Sequence, residues 1–298
     1  MSPSDRHDQL SFVFSIPLIP RARANDWNKV VLNLSLTLQS LQNQTDPDWM
    51  AVICGHETPD VPELNDPRIH ALQTPQLPVE SIAQGSTDKY RKRRHIASWL
   101  KQNDYCNVMI FGLDADDWVH YEFVRTCKRL TRSGIKGLLI NAGYRVDFLS
   151  GRGEIISQNF FKGCGSCFVG QFGCEDLPES HADRKASYSQ IACGHHARQG
   201  ERAEKLGFSV GAVDWPCIAY TINHSESLRG LKTGGRIRSL MRHREQLSRK
   251  FMGKIIRDEF GVLPPVLERS RLMRSLHFVR YSSTVLFKRA IRVMKRIS

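Results

Sequence analysis

No run of about 18 apolar residues occurs anywhere in this chain of 298 residues. A helix needs roughly 20 such residues to cross a bilayer, so no membrane span is expected. The opening MSPSDRHDQL carries acidic residues and no apolar core. It does not read as a secretory signal, and a cytoplasmic location is the expectation. Internal repeats and low-complexity tracts are missing too, although 41% of residues are hydrophobic and 24% charged. That balance is globular and excludes a disordered chain. Acid is scarce after Gly230: the last 69 residues hold 18 Lys and Arg against 4 Asp and Glu, or +14. Of the total of +13, the first 229 residues therefore carry −1. A near-neutral body, 1–229, is followed by a basic extension, 230–298.

Cysteine is present without a pattern. The 8 cysteines lie between Cys54 and Cys217, and Cys54 and Cys106 fall in apolar, strand-like runs. A thiol there behaves as a small hydrophobe, and no disulfide framework is expected at this length without a signal peptide. Cys164-x-x-Cys167 with Cys174 and Cys193 could be drawn as a zinc site. A four-cysteine knuckle pairs two CxxC motifs, however, and one is missing.

The body alternates strand and helix. Leu10, Phe12, Phe14 and Ile16 have the period of a half-buried strand. Asn25 or Asp26 can cap a helix carrying Val30, Val31, Leu34, Leu38 and Leu41. WMAVIC at 49–54 reads as a strand covered on both faces, and RIHAL at 68–72 as a third strand. A basic helix over 88–102 precedes the buried strand CNVMIFGL, 106–113. Residues 118–132 read as a helix, 136–142 as a strand, and YRVDFL with EIISQNF as a hairpin around SGRG. The hairpin is expected as an antiparallel addition on one edge of a mostly parallel sheet.

The chemistry concentrates at Asp114-Ala115-Asp116-Asp117, three carboxylates at the end of a buried strand. In open α/β sheets, ligands bind beyond the carboxyl ends of the strands. Like charges this close repel and call for a cation, and carboxylate oxygens suit Mg²⁺ or Mn²⁺. The competing reading is an acidic helix start, where aspartate favours the helix dipole.

At these residues the chain resembles the GT-A glycosyltransferases of family 2, nearest to a bacterial rhamnosyltransferase group. FVFSIP, SLQNQTDPDWMAVI, the basic helix DKYRKRRHIASWL and MIFGLDADD come in the family's order, and the likeness covers roughly Leu10 to Ser227. It implies an α/β, Rossmann-like, mostly parallel sheet with helices on both faces and a nucleotide-sugar donor on the first half. It implies Asp116 as the direct ligand of Mn²⁺ or Mg²⁺, Asp114 near ribose or metal and Asp117 in support; His224 could be a third ligand or simply a loop residue. Glu57 would meet the nucleoside, Lys92 and Arg93 the diphosphate, and Pro17 would belong to the nucleotide-sugar site. Against this, Lys89–Arg94 is also what a solvated helix face looks like.

An inverting transferase needs a base for the acceptor hydroxyl. The family places an Asp of an "ED" pair before a helix. Glu175-Asp176 matches the letters but runs into Leu177-Pro178, whereas His195-His196 precedes ARQGERAEKLGF, which resembles the helix that follows the base. The candidates are therefore His196, His195 and Asp176, with helix capping as the alternative role for the histidines. GCGSCFVG, 163–170, is expected on the acceptor side.

After Gly230 one apolar stripe runs through Ile237, Leu240, Met241, Leu247, Phe251 and Ile255, and a second through Leu272, Leu276, Val279, Leu286, Ala290, Val293 and Ile297. Such basic amphipathic helices fit an anionic membrane surface, here the inner face. They could also pack on the body or on a second copy in a homodimer. Nucleic acid is not an expected partner, since Tyr281 is the only Tyr or Trp in the segment. The expected activity is metal-dependent sugar transfer to a glycan or lipid-linked acceptor. The alternative is a non-catalytic membrane- or RNA-binding protein with a degenerate α/β domain. A DxDxT phosphatase is disfavoured because Trp118 stands where that motif needs Thr.

Overall fold

A computed structural model describes residues 10–75, 85–148, 151–222, 224 and 246–264. Its strands and helices are β1 (Ser11–Pro17), α1 (Trp27–Gln42), β2 (Trp49–Gly55), β3 (Ile69–Gln73), α2 (Gly85–Gln102) and β4 (Asn107–Gly112). There follow β5 (Trp118–Val119), α3 (Phe123–Thr131), β6 (Gly137–Ile140), β7 (Gly143–Asp147), β8 (Gly153–Ile156) and β9 (Phe168–Gly173). Last come α4 (Ser187–Ala192), α5 (Gln199–Lys205), β10 (Val210–Val213), β11 (Ile218–Ile222), β12 (Gln246–Leu247) and α6 (Arg249–Phe260).

Seven strands form the main sheet in the order β10-β6-β9-β4-β1-β2-β3. β1, β2, β3 and β4 are mutually parallel, while β9 runs antiparallel between β4 and β6. β1 is central rather than half-buried: Phe12, Val13, Phe14, Ser15 and Ile16 are all at 0% exposure. Its alternation sorts Phe12, Phe14 and Ile16 onto the face covered by α1 and α3, and Val13 onto the face covered by α2, α4 and α5. Phe12, Phe14, Phe111 and Phe123 form one aromatic knot with ring centroids 4.9–6.5 Å apart. Each buried phenyl contributes about 1.5–3 kcal/mol relative to an exposed one.

The hairpin β7–β8 does not extend this sheet. It belongs to a second sheet of five strands, β12-β8-β7-β11-β5. Residues 118–119 are a strand of that sheet, not the start of a helix. Trp118 is fully buried against Phe148, β5 pairs antiparallel with β11, and the helix begins at Phe123.

Part of the basic extension packs on the body. β12 pairs with β8, and α6 buries Met252, Ile255, Ile256 and Phe260 against Leu36, Trp118, Tyr144 and Val146. Gly153 faces the Met252 sulfur so closely that a Cβ would collide with it. Ser248 Oγ accepts from Phe251 N (3.3 Å) to cap the helix, and Gly261, at φ 68°, ends it. Phe251 falls off the buried face and is 52% exposed, because the true apolar face is set by 252, 255, 256 and 260. Ile237, Leu240, Met241 and the second stripe lie outside the described residues.

A disulfide links Cys106 to Cys174, although no disulfide framework is expected from the sequence. The antiparallel register of β4 and β9, with Asn107 opposite Gly173, brings the two together. Cys174 is thereby spent, and among the described residues no zinc-type cluster of cysteines exists.

Candidate active site

β1 and β4 are neighbours, yet β1 leads on to β2 on its other side, so the order reverses between them. A crevice opens at such a reversal beyond the carboxyl ends. Ser15 pairs with Gly112, and Leu113 N–H donates to Ser15 O (3.0 Å), which carries Pro17-Leu18 and Asp114–Asp117 out at the same end. The cleft there has a volume of about 360 Å³. Its walls include Pro17, Leu18, Arg23, Asn33, Asp88, Lys89 and Lys92 on one side of the chain order. Asp114, Ala115, Asp116, Gly163, Gly165, His196, Tyr220, Thr221 and His224 complete them.

The three aspartates have three different surroundings. Asp114 is bonded to Lys89, and Arg93 Nη2 lies 3.8 Å from the same oxygen. Burial alone would raise the Asp114 carboxyl, but these two cations hold it below the usual carboxylate range. Asp116 Oδ2 lies 2.8 Å from His224 Nε2. The approach is not that of a hydrogen bond, and Nε2 is buried without a hydrogen-bond partner among the described residues. The other ring nitrogen of His224 meets Asn33 Nδ2 at 3.5 Å. Asp117 is at 0% exposure and does not line the cleft. Burial, reinforced by Asp116 and Asp114, pushes its carboxyl well above the usual range. Asp117, expected in support of a metal, turns its side chain inward to Ser166, Cys164 and Thr221.

The basic helix α2 is not a solvated face. Lys92, Arg93 and Arg94 are 1%, 2% and 6% exposed. Each has at least one hydrogen-bond partner against the cost of burying charge, although Arg93 Nε and Nη2 have none among the described residues. Lys92 Nζ donates to Asp88 Oδ2 and to Leu18 O, both at 2.7 Å. Arg93 Nη1 reaches Ala192 O (3.3 Å) and Arg94 Nε reaches His181 O (2.6 Å). Burial lowers the Lys92 pKa, opposed by Asp88. Lys92 lines the cleft; Arg93 lies under Gly112 and acts on it through Asp114. Glu57 does not line the cleft. It accepts from Arg21 N (3.2 Å) and so holds the turn that carries Arg23 into it.

The candidate bases separate cleanly. His196 lines the cleft, and its Nε2 meets Lys162 O at 3.3 Å. A carbonyl can only accept, so Nε2 holds the proton of the neutral ring and Nδ1 the lone pair. Burial lowers the His196 pKa, which keeps the ring neutral near pH 7. His195 caps the next turn, with Nδ1 accepting from Ala197 N (3.3 Å). Asp176, the third candidate, does not line the cleft. β9 runs antiparallel to β4, so Asp176, three residues past Gly173, lies beyond the opposite end of the sheet from Asp114. There it accepts from Gly173 N (3.1 Å).

Arg23, Asn33, Asp88, Lys89, Ser166 and Thr221 were not singled out from the sequence. Lys89 and Asp88 could have been, because 88, 89 and 92 share one helical face. Arg23 ends a three-residue 3₁₀ turn and Ser166 sits on a loop, and neither gives a periodic signal.

Residues 30–156 match the family model described as "Putative rhamnosyl transferase". No curated protein matches the chain. Among solved structures, it is similar to a "putative nucleotide-diphospho-sugar transferase" from Desulfovibrio desulfuricans G20 at 12% identity and TM-score 0.38, over 82% of this chain and 92% of that one. It is also similar to mouse xyloside xylosyltransferase 1 in its apo form at 8% identity and TM-score 0.30, over 67% and 77%. At those scores neither likeness carries an argument. The family match does, because it runs from α1 to β8 and takes in α2, β4 and the whole DADD turn. Over that stretch, which is less than half of the 298 residues, the chain is similar to the rhamnosyl transferase family.

Proposed function

We propose that this chain moves a sugar from a nucleotide-sugar donor to a glycan or lipid-linked acceptor, with inversion, in the presence of Mn²⁺ or Mg²⁺. The observation that carries the reading is the meeting of Asp116, His224, Arg23, Lys89 and His196 in one cleft at the carboxyl ends of β1 and β4.

Asp116 and His224 would hold the divalent ion. A buried Nε2 that lies 2.8 Å from a carboxylate oxygen and makes no hydrogen bond among the described residues fits such a role. Among the described residues no three His, Cys, Asp or Glu gather around one point. A site of two protein ligands suits an ion that completes its shell with donor phosphates and water. The bound ion supplies charge stabilisation for the departing diphosphate. Asn33 orients the imidazole; turning its amide lets its oxygen accept from Nδ1–H and frees Nε2 for the ion.

Arg23 meets the donor diphosphate. Its side chain lines the cleft without a hydrogen bond or ion pair among the described residues, whereas Lys89 and Lys92 are held by Asp114 and Asp88. Lys89 joins Arg23 by leaving Asp114, and Asp114 turns toward the ribose. Pro17 and Leu18 bound the nucleoside. His196, neutral and facing the cleft, takes the acceptor hydroxyl proton as that oxygen attacks the anomeric carbon opposite the leaving diphosphate. The basic residues beyond Gly230 hold the enzyme at an anionic inner-membrane surface, each contributing about 1 kcal/mol.

The test is a screen of UDP-, GDP- and dTDP-sugars for hydrolysis or transfer with Mn²⁺ present. Turnover of at least one donor, abolished by a chelator, is expected. Failure of every donor to bind or react would sink the reading.

A further inference from the structure

Asp117 is the most buried carboxylate of the DADD turn, and the proposed reaction leaves it without a task. Its two oxygens serve separate walls of the cleft. Oδ1 accepts from the Thr221 amide at 3.3 Å. Oδ2 accepts from Ser166 Oγ at 2.7 Å, with Cys164 Sγ 3.5 Å away. Both partners reach back to the turn that Asp117 belongs to. Ser166 Oγ accepts from the Asp114 amide at 2.9 Å, and the Thr221 hydroxyl donates to Asp116 O at 2.6 Å. Two loops of hydrogen bonds therefore close through one side chain.

These loops join three segments far apart in sequence: the turn after β4, the 163–167 loop and β11. The 163–167 loop brings Gly163 and Gly165 to the cleft, and a Cβ on Gly165 would lie 2.5 Å from Asp114 Oδ2. β11 leads to His224 three residues after Thr221. The wall bearing Asp114 and the wall bearing His224 are thus fixed relative to each other by the same carboxyl group. Substituting an apolar residue leaves the Thr221 amide and the Ser166 hydroxyl without their acceptor in a dry site. Reorganisation, and not only a lost contact, should follow.

From this geometry we propose that Asp117 is a positioning residue: with Ser166 and Thr221 it braces the 163–167 loop and β11 against the DADD turn, setting the distance between the two walls. The effect on the reaction rests on the glycosyltransferase reading; the brace itself does not. Misplacing reacting groups by about 1 Å can cost about 10²-fold in rate, so the loss should appear in kcat more than in donor KM. Asn can keep the Thr221 bond through its oxygen and still bond Ser166, whose hydroxyl both donates and accepts.

The experiment compares Asp117→Leu, Asp117→Asn and Ser166→Ala with the wild-type chain. It reads kcat and donor KM, and amide hydrogen exchange at Asp114 and Thr221. Asp117→Leu should lower kcat about 10²-fold with donor KM within about threefold. Asp117→Asn should recover to within about tenfold of wild type, with Ser166→Ala between the two. Exchange at Thr221 should quicken in the Leu variant alone, and exchange at Asp114 in the Leu and Ala variants. Near-wild-type turnover by Asp117→Leu overturns the proposal, as does Asp117→Asn failing as badly as Leu. If the wild-type chain turns over no nucleotide sugar, the function proposed above falls instead. Exchange then decides the brace, and unchanged rates at both amides in Asp117→Leu overturn it.

Discussion

The two ends of the main sheet carry similar letters and opposite roles. Beyond the carboxyl end of β4, Asp114 and Asp116 face a cleft with cations and two histidines around it. Beyond its amino end, Glu175 and Asp176 follow β9 into a short turn beside the Cys106–Cys174 disulfide. Both stretches are acidic pairs next to a buried strand. Strand direction decides which of them lies at the cleft, because chain reversals of the parallel strands leave a crevice at one end only. Asp176 satisfies a backbone amide and tightens a turn; Asp116 Oδ2 lies 2.8 Å from the buried His224 Nε2, which makes no hydrogen bond among the described residues.

Substitutions at the two ends should separate this contrast. His196→Ala at the cleft is expected to lower kcat about 10²–10⁴-fold, the range of a lost general base. Asp176→Ala should stay within about twofold, measured on the same donor. Equal losses would mean that the sheet ends do not differ in the way described. Asp116→Ala should cost about 10²–10³-fold, as for the loss of one transition-state electrostatic contact, with circular dichroism unchanged. A full-rate Asp116→Ala enzyme would remove Asp116 from the reaction.

The acid limb of the pH–rate profile sharpens the assignment of the base. Burial lowers the His196 pKa, so the neutral, competent ring persists to a pH below its usual 6.5. The rate should then be flat near neutrality and fall about tenfold per unit once pH drops through that lowered pKa. An acid limb that survives unchanged in His196→Gln would point to another group.

The smallest effect on catalysis is expected at the disulfide end. Cys106→Ser closes no loop of 68 residues, and it should cost about 2–4 kcal/mol in denaturant unfolding. Per folded molecule, kcat should not change, since the bond lies at the end of β4 away from the cleft.

Much of the first half was legible in the residues. Alternation in β1, the run at β2, the spacing of α1 and the DADD turn all follow from local periods of two and 3.6. Asp26 caps α1 as read, accepting from Lys29 N at 3.4 Å. Where the reading failed, a distant partner had overruled a local preference. Trp118 opens a helix-like stretch but pairs with β11, a hundred residues later. Lys92–Arg94 look solvated until Asp88, Leu18 O, Ala192 O and His181 O are brought to them. The disulfide needed the antiparallel register of β4 and β9, which no spacing reveals.

By itself the sequence determined the alternating strands and helices, the place of three carboxylates at the end of a buried strand, and the gathering of positive charge after Gly230. Those features depend on neighbours within a few residues, where periodicity and charge count suffice. The tertiary structure alone decided that Asp114, Asp116 and Asp117 differ: one held by lysine, one set against histidine, one buried as a brace. Adjacent carboxylates are equivalent in water. They become distinct when strands from remote parts of the chain give each a different dielectric and a different partner.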